Sequence, residues 1–442
     1  MVVSENADDA DAPTEAELAA FIADLIVDDV PSGAIDTTVR AFVDTVGVAV
    51  AGTRTEVGRT AVPPEGTDAD VSAAERALYL GTVGHALDYD DLSWGMDGHP
   101  STVIVPPILA VAERRAVDGR DAVTAYVAGF EAACAVAEPI SPAHYERGWH
   151  ATSTFGVFGA TAAAASLLDL DADRTRTALG IAASTPAGLK RNFGSMTKPL
   201  HAGVAARSGV TAARLAAAGA TADGRAIGGE RGFWDLYGDG AANPPSPSVG
   251  EGWYIESEGI HVKMYPCCYF AHTSVAATQD LRERPGVEPA DIESIRVTAS
   301  RGAADALQHS DPETGLEAKF SMEYLVASAA VRDRVGLGAF EADAVEDPAV
   351  KAVRRRVEFT ADPDLEYDSH EATVVVETGA DTFETTRTDP PGVHQNPPSE
   401  SEMRAKFLEC ATRTVSEDVA ESIYEDVASL PDRDDVSVPS VL

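Results

Sequence analysis

Lysine is nearly missing from this chain of 442 residues: there are six, Lys190, Lys198, Lys263, Lys319, Lys351 and Lys406, so 28 of the 34 basic side chains are arginine. Positive charge of any kind is short, since 72 Asp and Glu leave a formal net charge of -38. A field of that sign repels nucleic acid and anionic lipid, which argues against a nucleic-acid or membrane partner. Dense salt screens self-repulsion, so the composition reads as adaptation to a salt-rich cytoplasm. Where arginine serves as the ordinary surface cation, a retained lysine marks a place that needs a compact, deprotonatable ammonium.

Cysteine is as rare. Cys134, Cys267, Cys268 and Cys410 make no spaced framework, which excludes a disulfide scaffold. Adjacent thiolates are poor partners on one metal, so Cys267 and Cys268 read as small buried side chains in a turn after Pro266. The first residues are acidic where a signal peptide would be basic and then apolar, and a cytoplasmic, reduced protein is expected. No run approaches about 18 to 20 uncharged apolar residues, so no transmembrane helix is expected.

The length calls for two domains. Helical periodicity dominates the first half, with capping boxes at Thr14-x-x-Glu17 and Ser72-x-x-Glu75, a helix over 36–50, and small-residue helices between 103 and 221. Beyond the breaker cluster Asn243-Pro244-Pro245-Ser246-Pro247, strand patterns appear over 294–300 and in a hairpin with arms 372–377 and 382–387. Helices resume at Ser399-x-x-Glu402. The expected fold is therefore mainly α: a helical domain over 1–254, a smaller α+β domain over 255–396 inserted into or laid over it, and helices over 397–442.

The stretch GHALDYDDLSWGMDGHPSTVIVPP, residues 84–107, carries the chemistry. Asp88, Asp90 and Asp91 follow His85 at a helix C-terminus, an unfavourable place for carboxylates. Residues that break a local rule are candidates for function. Of ten histidines, His85, His99, His150 and His201 all fall in polar breaks between apolar helices. Together with Lys198 and Lys263 they suit a cleft that binds a polyanion and moves protons. Rival readings are a Mg²⁺-dependent prenyl-type enzyme built on the Asp cluster, which would need a second acidic motif, and a helical binding protein without catalysis.

The ordered motifs DTVGVAVAG, GHALDYDD, HPSTVIVPP, GWHATSTFG, TKPLHAGVAARSG, KMYPCCYFAH and KFSMEYLVA resemble the MmgE/PrpD family, which includes 2-methylcitrate dehydratase and cis-aconitate decarboxylase. The resemblance implies a helical domain built from both termini, an α+β lid, a homodimer and a lyase site with no metal or cofactor. Carried over, the family's site positions match Asp88, His99, His150 and Tyr324 for proton transfer and Lys198 and Lys263 for binding a tri- or dicarboxylate. His201, Asp91 and Cys268 stand beside them as binding residues. The decarboxylase branch resembles K-x-x-P-x-H, with a histidine where this chain has Cys268, so the resemblance leans toward dehydration of 2-methylcitrate or a close tricarboxylic acid. Decarboxylation and epimerisation are the alternatives within the family. Lys351 and Lys406 lie outside the site motifs and are expected to be silent when replaced.

The charge balance carries a prediction of its own. Folding should weaken as ionic strength falls toward about 0.1 M, where the Debye length reaches about 10 Å. A melting temperature unchanged from molar KCl down to that range would contradict it.

Overall fold

The computed structural model describes residues 15–61, 71–238, 249–250 and 252–442. The expected cap at Thr14 and the 243–247 linker lie outside the described residues. Ser72 Oγ accepts from Glu75 N at 3.2 Å and opens the helix Ala73–His85. At Ser399 the box is reciprocal, Glu402 Oε2 accepting from Ser399 N at 2.8 Å, and it opens Glu400–Ala411. The helix expected over 36–50 is longer, Ser32–Gly52. Pro31 stands directly before it, where a missing N–H costs nothing.

The packing that positions the site is a close antiparallel pair, Ala73–His85 along Thr197–Ala217. A Cβ on Gly203 would come within 2.3 Å of Leu78 O. Only glycine permits that approach, and it brings the N-terminal turn of one helix, with Lys198, beside the C-terminal end of the other, with His85. One buried apolar cluster runs from Leu18 to Val262 and takes in Met403 to Leu442 from the C-terminal helices. A second gathers residues between Tyr265 and Val376.

The second cluster is built on a four-stranded sheet of order β2-β1-β3-β4, with β1 Ile292–Ala299, β2 Val357–Ala361, β3 Ala372–Thr378 and β4 Thr382–Arg387. The strand over 294–300 and the hairpin form as the sequence pattern predicts. β2 does not follow from that pattern: in VEFTA only Val357 is fully buried. Its strand character comes from parallel pairing with β1, Ile295 opposite Val357, a partner more than sixty positions away. Among the described residues the chain is thus mainly α with one small sheet. Among the described residues no helix is long and apolar enough to cross a membrane.

Candidate active site

Behind His85 the chain turns sharply, and Asp88 takes a left-handed φ of 52°. Such a backbone is uncommon outside glycine and persists where its surroundings hold it. What holds it is charge. Lys198 Nζ donates to Asp88 Oδ1 at 2.6 Å, and Lys263 Nζ donates to the same oxygen at 2.9 Å and to Asp88 O at 3.1 Å. All three side chains are buried. Burial alone would raise the Asp88 carboxyl, but Lys198 and then Lys263 hold it well below the usual range. In return Asp88 lifts Lys263 above its ordinary value against the pull of burial. Asp88 Oδ2 has no protein partner.

The hydrogen bonds set the histidine tautomers. Lys198 Nζ lies 2.9 Å from His85 Nε2; an ammonium has no lone pair, so Nε2 accepts and the ring proton sits on Nδ1, which donates to Asp90 Oδ2 at 2.8 Å. His99 Nδ1 faces two acceptors, Asp91 O at 2.7 Å and Asp90 Oδ2 at 3.2 Å, and therefore carries its proton there. Its Nε2 is left as a lone pair, 3.9 Å from Asp88 Oδ1. Burial lowers His99 from its ordinary value and His85 to about 3.

His150 enters from the loop before Ala151–Thr154. Its N–H donates to Gly188 O at 3.1 Å, and Gly188, at φ 127°, leaves only 3.3 Å between a would-be Cβ and the His150 Cβ. Burial and then Lys198 push His150 well below the usual imidazole range. Its Nδ1 is 3.0 Å from His201 Nδ1, so the two rings share one proton. If His201 donates, His150 Nε2 bears a hydrogen; if His150 donates, that nitrogen is a base.

Asp88, His99, His150, Lys198, Lys263 and Cys268 all line one cavity of about 90 Å³, space for several waters by that measure. Burial raises the Cys268 thiol to about 11, so it stays protonated. The remaining expected residues stand elsewhere. His201 lies behind His150. Asp91 is turned into the core, where Ser101 Oγ donates to it at 2.5 Å, and burial followed by Asp44 pushes it well above the carboxylate range. Tyr324 is fully buried with its hydroxyl donating to Ala339 O. It is not brought to the cavity, because the helix Met322–Val331 presents that side to the second core.

Two residues with no assigned role belong to the site's frame. Asp90 fixes His85 and His99 from behind. Lys319 Nζ donates to Leu87 O at 2.5 Å and Pro266 O at 2.6 Å, tying the Asp88 turn to the segment that carries Lys263 and Cys268. Burial lowers Lys319 to about 8. The signal that could have found it was lysine scarcity: Lys190, Lys198, Lys263, Lys319 and Lys406 are all buried. Lys406 is correspondingly not a surface residue. It reaches Asp44 Oδ1 at 2.5 Å and Tyr89 O at 2.7 Å, and the expectation that its replacement would be silent gives way to a buried ion pair.

Among the described residues, His85, Asp88, Asp90 and His99 place ligand-type atoms within 4.8 Å of one another. By distance a cation would fit. By charge it would compete with two ammoniums already on Asp88 and with the proton His85 shares with Asp90, so the donor set is poor for a divalent ion.

Similar proteins carry a consistent description. The cis-aconitate decarboxylase of Homo sapiens is 26% identical over 434 residues, spanning 92% of this chain and 90% of that relative. The cis-aconitate decarboxylase-like protein oryM of Aspergillus oryzae is 26% identical over 466 residues, with 96% and 95% covered, and the cis-aconitate decarboxylase of Aspergillus terreus 24% over 391, with 80% and 79%. Residues 16–245 match the MmgE/PrpD N-terminal domain and residues 265–430 the MmgE/PrpD C-terminal domain. With the cavity taking its wall from both spans, Asp88 to Lys198 from the first and Cys268 from the second, the chain belongs to the MmgE/PrpD family.

Proposed function

We propose that this protein is a lyase that removes water from 2-methylcitrate or a closely related tricarboxylic acid, working as a homodimer without metal or cofactor. The observation that carries the reading is the convergence of Lys198 and Lys263 on one carboxylate oxygen inside a small cavity flanked by two uncharged imidazoles. Asp88 holds both ammoniums in place, and each retains a hydrogen for a substrate carboxylate. Charge-assisted contacts of this kind bind carboxylates by short-range pairing even in a negative protein.

Dehydration needs a base for a C–H proton acidified by the neighbouring carboxylate and an acid for the departing hydroxyl. His99 Nε2, with its lone pair toward Asp88, is the base in this scheme. His150, in the tautomer that His201 sets by donating to its Nδ1, donates a hydrogen bond to the departing hydroxyl, which leaves as water with the proton that His99 has taken. The protonated Cys268 thiol is a poor donor to a carbanion, which favours dehydration over decarboxylation. The second reading is cis-aconitate decarboxylation, favoured by the names of the relatives.

One assay separates them. Purified protein in high salt is given 2-methylcitrate, citrate and cis-aconitate, with ultraviolet absorbance and CO₂ followed together. Growth of absorbance on the hydroxy acids, as a C=C bond conjugated to a carboxylate forms, is the expected result. Dominant CO₂ release from cis-aconitate would replace the dehydratase reading with the second one, and an inert panel would remove both.

A further inference from the structure

The cavity has a second end that the acid-binding reading does not use. There Trp94 stacks on His370, with ring centroids 4.0 Å apart and planes 11° from parallel. Tyr269 stands edge-on to Trp94 at 5.3 Å, and Phe270 packs on His370 at 5.0 Å. All four line the same cavity as Asp88 and the lysines. Both ring nitrogens of His370 and the Tyr269 hydroxyl are buried without a partner, and Tyr269 is only 5% exposed. Buried polar atoms left unpaired are costly and call for a ligand group that can meet them.

The cavity's cations stand at its other end. Among the described residues, the cationic side chains in the cavity wall are Lys198 and Lys263, both at the Asp88 end. Asp97 and Asp368 also line the cavity, but Asp97 accepts from Ser141 Oγ and Asp368 is exposed to solvent. Burial raises Asp97 to about 6. Lys190, close by, is taken up by Asp305 and by Tyr145 O. Burial keeps His370 at about 3, so its ring is neutral. A ligand carboxylate among these rings would lose its water and meet no cation.

We propose that this aromatic chamber is a specificity subsite that admits an uncharged arm of the substrate, methyl- or carbonyl-bearing, and rejects a carboxylate in the same position. The inference rests on the acid-binding reading above and narrows it. Of acids that place carboxylates on Lys198 and Lys263, those with a neutral outer arm are preferred, and His370 and Tyr269 supply hydrogen bonds when that arm carries an oxygen.

An isosteric pair tests the charge without changing the shape: tricarballylate and 2-(carbamoylmethyl)succinate, in which one terminal carboxylate becomes an amide. Titration calorimetry on the full chain in high KCl should show the amide binding at least about fivefold tighter, since a carboxylate stripped of water with no cation beside it is costly. His370→Phe keeps the stack on Trp94 and removes both nitrogens, so it should cost the amide several-fold in affinity and leave the tri-acid unchanged. Tyr269→Phe, which keeps the ring and removes the unpaired hydroxyl, should do likewise. Equal affinities, a preference for the tri-acid, or an amide preference indifferent to both substitutions would overturn the subsite. Failure of both compounds to bind would overturn the acid-binding reading as well, whereas binding without the preference overturns the subsite alone.

Discussion

Replacing Lys263 by methionine should lower kcat/KM on the acid the panel identifies by about 10- to 150-fold, because a charge-assisted hydrogen bond to a carboxylate is worth about 1.5–3 kcal/mol and each 1.4 kcal/mol is tenfold. Lys198→Met should do the same. The loss can be read as a site effect because Asp88 has two cations on it. Removing one leaves a neutral pair instead of a bare buried charge, so the fold keeps most of its stability. Melting curves in the same KCl check that condition, and Lys351→Ala, whose ion pair with Glu346 is at the surface, provides the comparison. Near wild-type kinetics in either methionine variant would remove that lysine from substrate binding.

Lys406→Ala should act on stability instead, and strongly. Its ammonium is the partner of Asp44 in a core position where both side chains are buried, and Asp91 lies close enough for Asp44 to push it upward. Removing the cation leaves an uncompensated buried carboxylate, which costs about 3–5 kcal/mol. Denaturant titration in constant KCl measures it. The pH dependence has a definite sign: burial already raises Asp44 above its ordinary value despite Lys406, so its folded pKa exceeds the unfolded one and stability is lost as pH rises. The deficit of the variant should therefore shrink as pH falls and Asp44 takes up a proton, which removes the charge. Asp44→Asn/Lys406→Met, which removes both charges, should recover most of the loss. A single variant as stable as the parent would show that the pair contributes nothing.

Local chemistry made part of this protein legible from its residues alone. Ser72 and Ser399 cap helices with partners three positions away, and the 372–387 hairpin alternates along a single short stretch. The 84–107 segment announced itself by three carboxylates where a helix end disfavours them, and lysine scarcity marked side chains that prove to be buried. What tertiary structure decided is where polar groups meet across the chain. Lys198 and Asp88 are 110 positions apart, Lys263 and Asp88 175, Lys319 and Leu87 232, and Lys406 and Tyr89 317. No periodicity encodes such pairings. The same SMEY motif that resembled a site places Tyr324 in a core, and the same DYDD run sends Asp88 to the cavity, Asp90 behind the histidines and Asp91 into the helical core. A turn of the backbone at Asp88 separates those fates, and it is held by ammoniums delivered from a glycine-bearing helix and from the segment leading into the second core. Burial and charge pairing over long range, which exist only once the chain has packed, assigned each carboxylate its chemistry.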